Sequence, residues 1–209
     1  MSVLKHTMLA IEYSAKEWND PEINFSVLCH DFGKKYCWDN YQNAYNHEEE
    51  GLPYIISFCN KWKVPNSYKD SALLVCEYHT KIHGCMGRSS NSWMRPKSIQ
   101  NLFEETRAYQ KPERFLKILK ACEADSKGRG LPTHENYKFT REYFLNKSYL
   151  QRPYLEDCLE AVISLDTKDI SSKLLKNGKS GKVIGDEIRA ARINEIRKVM
   201  NKWKEKLNA

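Results

Sequence analysis

The 209-residue chain is 41% hydrophobic and 29% charged, which excludes a wholly disordered polymer and suits one catalytic unit, with or without an appendage, better than two full enzyme domains. No apolar run approaches the roughly 18 residues a membrane span needs, and the opening MSVLKHTMLAIEYSAKEW lacks the continuous apolar core of a secretory signal, so no membrane partner and a cytoplasmic location are expected. The net charge of +7 is concentrated late: residues 168–209 carry 12 Lys or Arg against 5 Asp or Glu, while the 22 basic and 22 acidic residues before them balance.

Nearly every apolar pattern has helical spacing and none alternates like a strand, which predicts an all-α fold. A first helix is predicted over residues 3–18, with Leu4, Met8, Ile11 and Ala15 on its apolar face. Asp20-Pro21-Glu22 offers a cap and first turn for a second helix that carries Ile23, Val27 and Leu28 into His30-Asp31, with Gly33 ending it shortly after. Residues 36–46 are polar and aromatic and read as a loop. A helix then directs Leu52, Ile55, Ile56, Cys59 and Trp62 inward until Val64-Pro65-Asn66 breaks it. Ser67 to Asp70 resembles a capping box for the helix that leads through Leu73 and Cys76 to His79. Residues 84–91 read as a mobile loop. Pro96 and Pro112 stand near two more helix starts, the second leading through Phe115, Ile118, Leu119 and Cys122 to Asp125. After Gly128-Arg129-Gly130-Leu131-Pro132 the composition turns tyrosine-rich and then lysine-rich. This places a boundary near residue 135, between a domain over 1–134 and a basic helical tail over 135–209. The last helix, residues 182–207, aligns Ile184, Ile188, Ile196, Met200, Trp203 and Leu207. The seven cysteines form no CxxC pair and read as reduced, buried small hydrophobes.

The strongest chemical feature is His30-Asp31-Phe32-Gly33-Lys34 at the end of an apolar helix. Consecutive helical side chains diverge by about 100°, so His30 can face one ion while Asp31 turns toward another. His6 lies on the preceding helix, His47 on the following one, and His79 and His83 are spaced i, i+4. Asp125 ends a late apolar helix. Imidazole and carboxylate together suit manganese, iron, cobalt, nickel or zinc better than calcium. Lys34 is placed to neutralise charge on phosphoryl oxygens. Glu48 has two readings, ligand orientation or proton transfer. A neutral body with a basic tail points to a polyanionic partner such as RNA, with Lys182, Arg189 and Arg192 as candidate contacts.

The order His6, His30-Asp31, Asp125 resembles that of the HD-domain phosphohydrolases. The stretches LCHDFGKK, VPNSYKDSALLVCEYHTKIHG, KPERFLKILKACEADSKGRG and GKVIGDEIRAARI look like the HD domain and adjoining tail of bacterial tRNA nucleotidyltransferases, the multifunctional CCA-adding enzymes, over most of residues 6–193. The resemblance implies an HD helical bundle with a helical tail, and a metal site of His6, His30, Asp31 and Asp125. It implies 2′,3′-cyclic phosphodiesterase, 2′-nucleotidase and phosphatase activity with nickel, manganese or cobalt, and the basic tail then suggests tRNA or other RNA 3′ ends as substrate and a role in RNA repair. His47 and His79 are then ligands of a second ion or donors to the substrate phosphate. His83, Arg95 and Arg129 fall at substrate-contacting positions, although residues 84–91 depart from the family in length and composition. Those enzymes also carry a nucleotidyltransferase head. The sequence opens five residues before His6, so CCA addition is not expected of it. Two other functions fit the same residues: hydrolysis of free or cyclic nucleotides by the same metal site, and tRNA binding by a module with a vestigial site.

Overall fold

A computed structural model describes residues 1–208 except 88, 90 and 91. Its helices are α1 (Val3–Glu17), α2 (Pro21–Cys29), α3 (Lys34–Tyr41), α4 (His47–Trp62), α5 (Asn66–His83), α6 (Pro96–Glu105), α7 (Pro112–Lys127), α8 (Arg141–Asn146), α9 (Gln151–Ile163), α10 (Thr167–Lys176) and α11 (Lys182–Asn208). Among the described residues there is no strand beyond an isolated bridge between Leu131 and Thr140. The all-α expectation holds. The chain divides into two compact units that are discontinuous in sequence: Met1–His83 with Glu113–Arg152, and Gly84–Pro112 with Pro153–Ala209. The change of character near residue 135 is a change of composition inside the first unit.

In the first unit α2 is the organising helix. Asp20 caps it, accepting from the N–H groups of Glu22 at 2.9 Å and Ile23 at 3.4 Å, which meets two of the four unpaired donors of a helix start. Glu22 then ties neighbours to that end: Ser71 of α5 donates to it at 2.5 Å, and Lys117 of α7 at 2.7 Å, with Asp20 3.0 Å from the same ammonium. Beneath this polar knot Cys29, Ile55, Cys59, Ala72 and Cys76 form a buried cluster, with Phe25, Leu28, Phe32 and Leu52 packed on it. Burying a side chain the size of Ile55 is worth about 1.5–3 kcal/mol, so this cluster holds α2, α4 and α5 together and keeps the His30 end of α2 in place.

Several local expectations are corrected. Leu4 and Met8 face solvent, and the buried face of α1 is His6, Thr7, Ala10 and Ser14. Small side chains there let the helix lie close to its neighbours, an advantage that outweighs hiding two larger ones. Residues 34–41, read in part as loop, form α3, whose polar surface leaves only Cys37 buried. Ile56 and Trp62 of α4 are exposed, because the inward stripe runs through His47, Gly51, Ile55 and Cys59. The helix expected to open with a box at Ser67 starts at Asn66. The span 84–91, expected to be mobile, lies in part outside the described residues.

All seven cysteines are unpaired and buried. Burial raises the thiols of Cys76 and Cys85 to about 12 and those of Cys29 and Cys158 higher still. Thiolate is the reactive form, so the native protein should be unreactive toward a thiol-titrating disulfide reagent over minutes and should release seven equivalents once denatured. A fast native equivalent would contradict this packing.

The second unit packs α11 on α6 and α10. Ile99, Leu102, Phe103, Leu155, Cys158, Leu159, Ile196 and Met200 are buried within it, and Trp203 donates its indole N–H to Asp157 at 2.8 Å. Of the predicted stripe on the last helix, Ile196 and Met200 are buried, whereas Leu207 is exposed.

Candidate metal centre

Five helices of the first unit bring their polar residues to one place. His6 comes from the buried face of α1, His30 caps the C-terminus of α2, and Asp31 follows in the turn to α3. His47 opens α4, His79 lies on the last turn but one of α5, and Asp125 lies near the end of α7. All six are buried. Two close approaches set the spacing. A Cβ on Gly33 would fall 2.1 Å from the His47 carbonyl oxygen, and one on Gly128 would fall 2.6 Å from Ala10 Cβ. Without side chains at those positions, the turn after Asp31 reaches α4 and the end of α7 reaches α1.

The ligand atoms form two groups, His6–His30–Asp125 and Asp31–His47–His79, each with its donor atoms within 4.8 Å of one another. In the first, His6 Nε2 lies 2.8 Å from Asp125 Oδ1 and 3.3 Å from His30 Nε2. In the second, His47 Nε2 and His79 Nε2 are 3.2 Å apart, with Asp31 Oδ1 at 3.4 Å and 3.9 Å. Asp31 faces both groups, since its Oδ2 lies 3.2 Å from His30 Nε2 and 2.7 Å from Lys34 Nζ.

Hydrogen bonding fixes the rings. His6 Nδ1–H donates to the Gly128 carbonyl at 3.2 Å, His30 to Val27 at 2.6 Å, His47 to Ala44 at 2.8 Å, and His79 to Cys76 at 2.9 Å. A carbonyl only accepts, so each Nδ1 carries the hydrogen and each neutral ring turns an Nε2 lone pair inward. In the second group acceptors therefore meet an acceptor. Asp31 Oδ1 is buried with no hydrogen-bond partner, beside two imidazole lone pairs that cannot donate to it. Such a buried acceptor costs on the order of 1–3 kcal/mol if left unmet, and a divalent cation satisfies all three atoms at once. This donor set fits a metal.

The electrostatics agree. Burial opposes the charge on Asp31, but His30 and Lys34 hold its carboxyl well below the usual range; His30 and His83 do the same for Asp125. Burial likewise works against a charged His30, yet the two carboxylates raise it to about 9. His79 is pushed down to about 4 by burial and by His30. The first group thus calls for positive charge, and His79 in the second stays a neutral imidazole at physiological pH.

The surroundings differ on the two sides. One opening is lined by Ser2, His6, Asp31, Lys34, Asp125 and Arg129, and Arg129 NH2 lies 3.7 Å from Asp125 Oδ2. The other, beside His47, is lined by Glu48, Glu49, Glu77, Thr80 and Lys81. Glu48 sits 3.4 Å from His47 Nδ1 and accepts from the Thr80 hydroxyl at 2.6 Å.

The structure gathers His6, His30, Asp31, Lys34, His47, His79, Asp125 and Arg129 at this site. His83 is also there, with its Nε2 2.5 Å from Asp125 Oδ2. Arg95 lies in the second unit, exposed, at the N-cap of α6. Lys182, Arg189 and Arg192 are also in that unit. Lys182 is exposed, Arg189 pairs with Glu104 at 3.1 Å and Asn101 at 2.5 Å, and the Arg192 guanidinium sits 4.3 Å over the Tyr109 ring. Tyr149, which donates toward His83, was not singled out from the sequence; it stood among many tyrosines with no periodicity to mark it.

Comparison with known proteins returned no matching family model and no matching solved structure. Among curated proteins the chain is 28% identical over 199 residues to the multifunctional CCA protein of Thioalkalivibrio sulfidiphilus, covering 95% of this chain and 43% of that protein. It is 28% identical over 202 residues to that of Tolumonas auensis, covering 96% and 44%. It is 30% identical over 194 residues to that of Shewanella denitrificans, covering 92% and 41%. Nearly the whole chain is thus similar to multifunctional CCA proteins, and it spans somewhat under half their length.

Proposed function

We propose that this chain, similar as it is to part of the multifunctional CCA proteins, is a metal-dependent phosphohydrolase that opens 2′,3′-cyclic phosphates and removes 2′-phosphates, with RNA 3′ ends as its substrate class and tRNA as the leading candidate. The observation that carries the reading is Asp31: a buried carboxylate facing two imidazole groups, with one oxygen unpartnered. In this reading His6, His30, Asp125 and Asp31 hold one divalent ion, nickel, manganese or cobalt by the chemistry of the donors, and Asp31, His47 and His79 hold a second. When bound, such ions activate water and neutralise phosphoryl charge.

The remaining residues do the positioning. Lys34 and Arg129 flank the opening at Asp31 and Asp125, so a phosphate approaches from that side and is repelled from the one lined by Glu48, Glu49 and Glu77. Lys34 reaches Asp31 Oδ2 now and exchanges part of that contact for a phosphoryl oxygen as charge develops there. An exposed run of Lys173, Lys176, Lys179 and Lys182 supplies sequence-independent attraction to an RNA backbone.

Incubation with 2′,3′-cyclic AMP and Ni²⁺ or Mn²⁺ should give a nucleoside monophosphate, with turnover lost on chelation and restored by metal. No product above the background of Asp31→Ala would overturn the proposal. Turnover of the mononucleotide compared with an RNA ending in the same cyclic phosphate separates the two substrate classes; a clear preference for the mononucleotide would remove RNA from the reading.

A further inference from the structure

Four of the five imidazoles at this site are held by main-chain carbonyls, each with hydrogen on Nδ1. His83 is held the other way round. Its Nε2 meets Asp125 Oδ2 at 2.5 Å, and its Nδ1 meets the Tyr149 hydroxyl at 2.8 Å. A carboxylate only accepts, so the hydrogen belongs on Nε2, which leaves Nδ1 of the neutral ring to accept from Tyr149. The tyrosine is itself fixed. It is buried, its ring stands edge-on to His83 with centroids 5.6 Å apart, and two residues later Gln151 donates to the His83 carbonyl at 3.2 Å. Arg152 closes the segment onto α7, donating to Glu123 at 2.5 Å.

We infer that Tyr149 is a positioning residue for the metal centre: by donating to His83 Nδ1 it sets the ring in the tautomer whose Nε2–H holds Asp125 Oδ2, so that Oδ1 alone is presented to His6 and His30. This rests on the reading that Asp125 holds a metal. Asp125 Oδ1 is the atom 2.8 Å from His6 Nε2 and 3.6 Å from His30 Nε2, so rotation of its carboxylate would mix the two oxygens and blur the first group. A hydrogen-bonded outer partner that stops such rotation typically governs metal affinity by about 10–100-fold. His83 was expected at a substrate-contacting position; here it acts through Asp125, and Tyr149 acts through His83.

The experiment has two readouts, neither of which uses activity. Long-range ¹H–¹⁵N correlation on metal-free wild type should place the His83 hydrogen on Nε2, opposite to His47 and His79; a hydrogen on Nδ1 would overturn the inference whether or not metal binds. Co²⁺ affinity, read by competition with a chromophoric chelator, should fall about 10–100-fold in Tyr149→Phe, which keeps the ring and loses only the hydroxyl. The Gln of His83→Gln donates through its own amide and needs no tyrosine, so adding Tyr149→Phe in that background should cost little further affinity. Equal losses in both backgrounds would mean that Tyr149 only packs, and unchanged affinity in Tyr149→Phe would equally overturn the inference. Failure of wild type to bind Co²⁺ would sink the proposed function and this inference with it, whereas a His83 hydrogen on Nδ1 in a wild type that does bind Co²⁺ would overturn this inference alone.

Discussion

Asp31→Asn is expected to empty both ligand groups and to lower hydrolysis of 2′,3′-cyclic phosphate by more than about 100-fold, the upper end of what changes to outer-shell partners cost. The substitution is nearly isosteric. Its carbonyl oxygen can still accept from Lys34 Nζ, now 2.7 Å from Oδ2, and its amide can donate to the His47 lone pair, now 3.4 Å from Oδ1. What it cannot do is present a charged oxygen to each group. The metal-free variant should melt below the metal-free wild type, since the buried carboxylate that pairs with His30 and Lys34 is lost and a new amide donor to His47 offsets only part of that. Metal content, turnover and the melt without metal check this. Activity within tenfold of wild type would show that Asp31 does not join the two groups.

Gly33→Ala is expected to cost about 1–3 kcal/mol, the usual range for forcing a methyl into filled space. For a chain of this size that is roughly 2–4 °C of melting temperature per kcal/mol. The added carbon would meet main-chain atoms, the His47 carbonyl oxygen at 2.1 Å and the Gly51 nitrogen at 2.7 Å, so no side chain can rotate away. Either the turn after Asp31 or the start of α4 must move, and both carry members of the second group. Loss of metal stoichiometry at Asp31–His47–His79 should accompany the lower melt, while His6–His30–Asp125 retains its ion. Unchanged stability and two bound ions would contradict the close approach.

The fold class was legible because helical periodicity runs through most of the chain, and Asp20-Pro21-Glu22, Pro96 and Pro112 mark helix starts by local chemistry that tertiary contacts do not override. Faces were less legible. On α1, Leu4 and Met8 were the obvious inward residues, yet the small side chains of Ala10 and Ser14 are buried, because α7 and α2 need close access more than two large side chains need cover. At the site, residue types and order were enough to draw His6, His30-Asp31 and Asp125 together. The resemblance set His6, His30, Asp31 and Asp125 at one ion and left His47 and His79 two roles, a second ion or the substrate phosphate; residue types could not choose, because the choice depends on which way each ring is turned, and that is set by carbonyls of Gly128, Val27, Ala44 and Cys76. His79 and His83, spaced i, i+4, carry different roles in the sequence reading, a metal ligand and a substrate contact. The structure gives them opposite tautomers and different carboxylates, since one lies against Asp31 and the other against Asp125.

The discontinuity of the first unit carries a consequence for biosynthesis. His6 and the carbonyl that orients it, on Gly128, are 122 positions apart, and the chain leaves for the second unit after His83 and returns at Glu113. A nascent chain that has emerged as far as His83 possesses His6, His30, Asp31, His47 and His79 but neither Asp125 nor the α7 surface that covers them. Chains emerge at about 5–20 residues per second, so for several seconds an acidic, imidazole-rich cleft stands open before its last wall arrives. If the site holds the proposed ions, one captured in that interval meets an incomplete set of ligands, and commitment to a particular metal falls to the stage at which the residues after 112 dock.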